Sequence, residues 1–273
     1  MSLTPISNYS TALDDALAAI TVSDIEVRLA SSAREIKAAQ KLRYRVFYEE
    51  MEAVACADTH LAGIDYDRFD AIADHLLVID KSQIGIDAQV VGTYRLLRKS
   101  QINLADGFYS QGEYDIAPLI KSGLNLLELG RSCIAADYRK GRVMDMLWRG
   151  LAAYFVHHDI DVMFGCASLP GTDPDALMVP LSYLYHNHMA PSTICPTANP
   201  GQYVDMNRLK PDAINIKRAF MTLPPMIKGY LRVGCMVGDG AVVDYQFNTV
   251  DVCVIMDVKQ ISNRYQARFV KQA

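Results

Sequence analysis

Glu128 is the residue best placed to do chemistry in this sequence, because it is a carboxylate set inside the apolar run Leu126-Leu127-Glu128-Leu129. Burial disfavours the charged form of a carboxyl group and raises its pKa toward the range in which it can serve as a general base. A salt-bridged core glutamate would look the same in isolation, but the turn that follows argues for a chemical role. Arg139-Lys140-Gly141-Arg142-Val143 places a glycine and three cationic side chains at a helix start. Free backbone N–H groups and the positive end of the helix dipole there suit a phosphate or pyrophosphate. Other candidates carry less. Cys133 or Cys166 could pair with a histidine as a nucleophile, yet no G-x-S-x-G turn surrounds either. His186 and His188, two residues apart on a helix, point in different directions and have no third ligand spaced for them, so no metal is expected.

Periodicity supplies the elements that must hold these groups. Strand alternation turns Leu127, Leu129 and Arg131 to one face and Glu128, Gly130 and Ser132 to the other. The following helix, Val143 to about His158, is apolar at Val143, Leu147, Leu151 and Phe155. Upstream, Ile25–Ala30 alternates as a strand, and Ser32-Ala33-Arg34-Glu35 is a capping box opening a helix to about Phe47. Arg43 and Phe47 then share one helix face. Acid-rich Glu49–Asp74, with Arg68 its single base, lacks periodicity and is expected to be a lid on the acceptor side. His75–Asp80 and Val90–Arg98 form a strand pair, and Val162–Ser168 a buried strand ending at Leu169-Pro170-Gly171. A helix starting near Asp173 runs through Tyr185 to His188, and Pro224-Pro225 opens another to Gly234. Gly238-Asp239-Gly240 makes a turn before the closing strands Ala241–Phe247 and Val252–Val258. Residues 1–24 form an arm or short amphipathic helix ahead of the domain proper.

The 273 residues, 51% hydrophobic, can fill a sizeable core. A net charge of −4 excludes a general nucleic-acid binder, which would be basic overall. Charge is uneven, however: Asn207–Arg232 holds six basic residues against Asp212 and could lie on an anionic membrane surface. The six cysteines form no C-x-x-C pair, and neither a leader peptide nor an apolar run of membrane-spanning length is present, so a cytoplasmic protein with reduced thiols is expected.

Strand, basic glycine turn and helix together resemble the cofactor-binding core of the GNAT acyltransferase superfamily. Leu42-Arg43-Tyr44-Arg45-Val46-Phe47, Asp65-Tyr66-Asp67-Arg68-Phe69-Asp70, Gly92-Thr93-Tyr94-Arg95-Leu96-Leu97 and Glu128-Leu129-Gly130-Arg131 are similar in order and spacing to blocks of acyl-homoserine-lactone synthases. With Gly130-Arg131-Ser132-Cys133 and Val237–Ala241 added, the chain resembles the ornithine lipid N-acyltransferases more closely. The tryptophan of the lactone synthases is missing, since the one Trp is Trp148. The resemblance implies a GNAT-type α/β domain over residues 25–273, a mixed and partly splayed central sheet with helices on both faces. It implies transfer of a 3-hydroxyacyl chain from an acyl carrier protein thioester to the α-amine of ornithine, giving a lyso-ornithine lipid. The carrier's phosphopantetheine would be a donor substrate, with no separate cofactor. Glu128 would be the base, and Tyr185 would protonate the departing thiolate. The donor would meet Ser132, Cys133, Ile134, Arg139, Lys140, Gly141, Arg142 and Val143. The acceptor would meet Arg43, Phe47, Asp67, Asp70, Arg95 and Arg131, with Arg43 and Arg95 taking its carboxylate and Asp67 and Asp70 its second amine. Acylation of glutamine or lysine, lactone synthesis on S-adenosylmethionine, and a non-catalytic acyl-chain or membrane-binding role are the alternatives.

Overall fold

The computed structural model describes residues 11–104 and 107–261. Nine strands make one mixed sheet: β1 (Ile25–Leu29), β2 (Asp74–Asp80), β3 (Val90–Arg98), β4 (Tyr114–Asp115), β5 (Leu126–Ile134), β6 (Val162–Pro170), β7 (Thr197–Ala198), β8 (Met236–Asp244) and β9 (Thr249–Asp257), in the order β1-β2-β3-β5-β6-β9-β8-β7-β4. Pairs β5–β6 and β7–β8 are parallel and the rest antiparallel. The helices are α1 (Thr11–Ala18), α2 (Ala33–Tyr44), α3 (Ala57–Ala62), α4 (Ile86–Gln89), α5 (Ala117–Lys121), α6 (Val143–His157), α7 (Met178–His188), α8 (Ile216–Thr222) and α9 (Pro225–Val233). α2 is capped as expected, with the Ser32 side chain accepting from Glu35 N–H, and it continues as a π-helix over Arg45–Glu50.

Strand alternation sorts the core. On the first face Leu76, Val78, Leu96, Leu127, Leu129, Val252 and Val254 meet α6 and α9 in the main apolar cluster. Leu13, Leu17 and Ile20 are buried in that cluster, so α1 packs as core; the first ten residues of the expected arm lie outside those described. The second face has two separate clusters. α2 covers one end through Ala38, Ala39 and Leu42 against Leu77 and Ile79. Phe108, Tyr114 and Leu119 cover the other against Phe164, Val242 and Ile255. Between them the second face carries charge, and that polar interval is where the site forms.

Two departures from regular strand pairing shape it. The β5–β6 ladder consists of Leu126–Val162, Leu127–Met163 and Glu128–Phe164, while β5 continues along β3 to Ile134 and β6 along β9 to Pro170. The strands therefore part just after Glu128, while β6 itself runs on to Pro170, where the sequence places its end. In β5, Arg131 has φ 51°, in the left-handed region, and the β3–β5 register slips beside it. This bulge breaks the period-2 rule. Arg131 swings to the Glu128 face, where it meets Asp65 and Asp67. Past it Cys133 joins the α2 cluster and Ile134 the main one, which returns Ser132 to the Leu127 face. Smaller corrections follow the same logic. Gly238-Asp239-Gly240 is a bulge inside β8 rather than a turn before it. α7 starts at Met178, because the Asp173 carboxylate caps a turn at Asp175 N–H instead of opening the helix.

Candidate active site

Glu128 is 4% exposed, and its two carboxylate oxygens accept the backbone N–H groups of Tyr109 (2.8 Å) and Ser110 (2.7 Å). These donors belong to the short 3-10 turn Tyr109–Gly112 that lies across the second face. Burial pushes the Glu128 carboxyl above its usual range, against the pull of the two N–H donors. The result is a held, oriented carboxylate at the point where β5 and β6 separate.

Beside it lies a lattice of arginines and aspartates. Arg43, 1% exposed, directs Nε to Asp65 (2.7 Å), Nη1 to Asp70 (2.6 Å) and Nη2 to Asp70 (3.0 Å) and the Asp65 carbonyl. Arg95 pairs with Asp67 at 2.6 Å, and Arg131 with Asp65 at 3.1 Å and Asp67 at 3.4 Å. The acidic segment positions its carboxylates locally, since Asp67 accepts from Phe69 N–H and Asp70 from Asp67 N–H. Burial works against ionising Asp70, but the charge of Arg43 holds its carboxyl below the usual range. Thus Arg43 and Arg95, and Asp67 and Asp70, expected at opposite ends of an acceptor, are brought together with Arg131 in one paired lattice, and Arg43 has no free guanidinium edge. The Arg131 guanidinium lies over the rings of Tyr109 (4.7 Å) and Phe247 (4.8 Å). Phe47 meets Phe247 edge-on at 5.8 Å, so it lines the same wall from α2's continuation.

The donor-side residues separate into two groups. Cys133 and Ile134 bury their side chains, and burial pushes the Cys133 thiol up to about 12, which leaves it inert as a nucleophile. Their contribution is the β5 backbone, which has no β6 partner here. Further on, Lys140, Gly141 and Arg142 are exposed and Val143 is buried at the start of α6, whose N-cap Arg142 makes no side-chain cap. They line a cleft of about 380 Å³ with Tyr138, Asp80 and Asp137. Arg139 leans back on the Ile134 carbonyl (3.0 Å) and pairs with Glu50. Tyr185 sits half-buried against the main cluster with its ring 5.2 Å from that of His186, on the sheet face opposite Glu128. The two α7 histidines are engaged, His186 at the Leu209 carbonyl and His188 at the Tyr183 hydroxyl.

Sequence reasoning passed over Tyr109, Ser110, Glu113 and Asp251. Glu113, Asp244 and Asp251 bring carboxylate oxygens within 4.8 Å of one another, close enough to Arg131 to feel its charge. No local signal marks them, because more than one hundred residues separate Glu113 from Asp251.

A model of the acetyltransferase (GNAT) domain matches residues 42–149. The L-ornithine N(alpha)-acyltransferase of Agrobacterium fabrum is 47% identical over 247 residues, 89% of this chain and 84% of that one. That of Brucella abortus is 46% identical over 262 residues, 95% of this chain and 93% of that one. Among solved structures, the AHL synthase LasI has a TM-score of 0.46 at 15% identity, covering 92% of this chain and 96% of that one.

Proposed function

From the premise that the chain belongs to the L-ornithine N(alpha)-acyltransferase family of GNAT-type acyltransferases, we propose that it transfers an acyl chain from an acyl carrier protein thioester to the α-amine of ornithine, yielding a lyso-ornithine lipid. The observation that carries the reading is Glu128, a buried carboxylate held by two backbone N–H groups where two strands part.

In this mechanism the phosphopantetheine phosphate of the donor rests on Lys140, Arg142 and the free N–H groups near Gly141 and Val143, with Arg139 beside them. The pantetheine arm runs along the unpaired edge of β5, where backbone N–H groups near Ser132, Cys133 and Ile134 polarise the thioester carbonyl. Glu128, directly or through a water, takes a proton from the α-ammonium. The free amine attacks the carbonyl carbon, the tetrahedral intermediate sheds its second nitrogen proton and collapses, the C–S bond breaks, and the thiolate takes up that proton. No covalent enzyme intermediate forms. The acceptor's carboxylate lies against Arg131 and Arg95, which Arg43, Asp67 and Asp70 hold in place, with Phe47 at the rim. A positioned base contributes about 10²–10⁴ and an oxyanion donor about 10²–10³, enough for an activated thioester.

The test is incubation of the purified protein with 3-hydroxyacyl carrier protein and single amino acids, read by mass spectrometry. Ornithine should be acylated on its α-nitrogen faster than lysine or glutamine. Faster acylation of glutamine or S-adenosylmethionine would replace the acceptor, and absence of any acyl transfer would remove the reaction.

A further inference from the structure

Asp244 and Asp251 lie diagonally across the β8–β9 hairpin, Glu113 reaches them from far along the chain, and the three face one another on the second sheet face, with one carboxylate oxygen of each within 4.8 Å of the others. Among the described residues none of the three forms an ion pair within 4.0 Å, unlike Asp65, Asp67 and Asp70. Glu113 Oε2 is shut off from solvent and has no hydrogen-bond partner. Asp251, 5% exposed, accepts the Thr249 hydroxyl at 2.8 Å, which fixes its orientation. Asp244 is held by the Gln246 and Phe247 N–H groups (2.7 and 3.0 Å), so its position follows the β8–β9 turn that also carries Phe247 onto Arg131. The trio is also tied to the base: Cys166 Sγ meets Ser110 Oγ at 3.7 Å, Ser110 N–H donates to Glu128, and Cys166 neighbours Glu113.

The spacing of the three carboxylates suits a primary ammonium. Such a group brings three N–H donors for three acceptors. Charge-assisted N–H···O contacts of about 2.8 Å in a tetrahedral array set acceptors about 4.6 Å apart, in keeping with the spacing here. Burial raises the Glu113 carboxyl to about 7, helped by the charge of Asp251, and burial raises Asp251 to about 6. A cation placed among them would offset that burial and favour their charged forms.

We propose that Glu113, Asp244 and Asp251 bind the side-chain ammonium of the acceptor, and so determine which amino acid is taken and which of its nitrogens is acylated. The inference rests on the acyltransferase reading above and assigns the amine subsite within it. An ammonium surrounded by carboxylates holds its proton and has no lone pair with which to attack a thioester. The α-amine, three methylenes away beside Arg131 and Glu128, faces cations and a base and gives its proton up. Selectivity for the α-nitrogen thus follows from the charge on either side of the substrate.

The experiment compares ornithine with norvaline, which has the same carbon skeleton without the distal amine, using the full chain and acyl carrier protein thioester. Wild type should favour ornithine by ~10²-fold or more in kcat/KM, as sites built around a polar substrate group do. Glu113→Gln and, independently, Asp251→Asn should each lower that ratio at least tenfold through a higher ornithine KM, and should release a measurable share of Nδ-acylated product. Circular dichroism and Tm show which variants remain folded, and Glu113→Asp should recover part of the preference. An unchanged ratio in either folded variant overturns the proposal while leaving the acyltransferase reading intact. Loss of activity on chelation with recovery on adding Mg²⁺, Mn²⁺ or Ca²⁺ also overturns it, by making the trio a metal site. A wild type that acylates no amino acid takes down both readings together.

Discussion

At Glu128 two opposing effects meet in one carboxyl group: the apolar strand resists its charge, while the Tyr109 and Ser110 N–H groups stabilise it. The balance lies on the raised side, so the group is protonated over a wider range of acidic pH than a surface glutamate. Because a base must be ionised, turnover should rise with pH through that elevated pKa. Glu128→Gln keeps one acceptor oxygen for a backbone donor but cannot take a proton. We expect kcat to fall at least about 10²-fold with donor KM little changed, and the acidic limb of the pH–rate profile to disappear; near-normal turnover would take Glu128 out of the chemistry. Arg43 makes a contrasting case. Its guanidinium is fully engaged by Asp65 and Asp70 in a dry site, and removing one partner of such a pair leaves buried charge uncompensated. Arg43→Ala should therefore destabilise the fold by about 3–5 kcal/mol in denaturant titration. A variant that is normally stable and merely weaker for the acceptor would mean that Arg43 contacts substrate directly.

At the scale of elements, the strands that follow a clean period, β1, β2, β3, β6 and β9, and the helices α2, α6 and α9 fall where alternation, the Ser32 cap and Pro224-Pro225 indicate. What local pattern could not carry is the geometry that makes the site. The sequence cannot announce that Arg131 adopts a positive φ, since nothing in Gly130-Arg131-Ser132 distinguishes a bulge from a regular strand; the decision is made by Asp65 and Asp67, sixty residues away. The turn that cradles Glu128 and the approach of Glu113 to the β8–β9 hairpin are likewise long-range placements. The splay has a local mark, visible only with the structure in hand. A Cβ at Gly165 would lie 2.2 Å from the Leu129 carbonyl oxygen, so glycine alone lets β6 pass β5 as the strands separate. Because the clashing atom is backbone, no side-chain rotation relieves it. Gly165→Ala should cost about 2 kcal/mol or more and lower activity together with Tm. An alanine variant with unaltered Tm would show that the two strands are free to move apart there.

Across the whole molecule the charges are segregated. The acidic segment folds inward onto Arg43, Arg95 and Arg131, whereas α8 presents its cations outward with apolar side chains among them. Lys217 and Arg218 are exposed beside Ile216 (58% exposed) and Met221 (69%), while Ala219 alone of the helix is buried. Lys228 of α9 reaches back to the Met221 carbonyl, and Arg232 lies over the Phe220 ring, so the two short helices form one surface. No helix among the described residues is long and apolar enough to cross a membrane. Contact with a bilayer would accordingly be peripheral and electrostatic, about 1 kcal/mol for each Lys or Arg near an anionic surface, with Ile216 and Met221 entering the headgroup layer. The product of the proposed reaction would partition into lipid, and such a surface would receive it. We expect the protein to float with vesicles containing anionic lipid at low salt, to stay with the soluble fraction when vesicles are neutral, and to lose flotation in Lys217→Glu/Arg218→Glu. Since Lys217 and Arg218 point to solvent, that variant should keep its Tm, which separates a binding defect from a folding one. Equal flotation with anionic and neutral vesicles, or none with either, would make α8 an ordinary solvated helix and leave product release to another route.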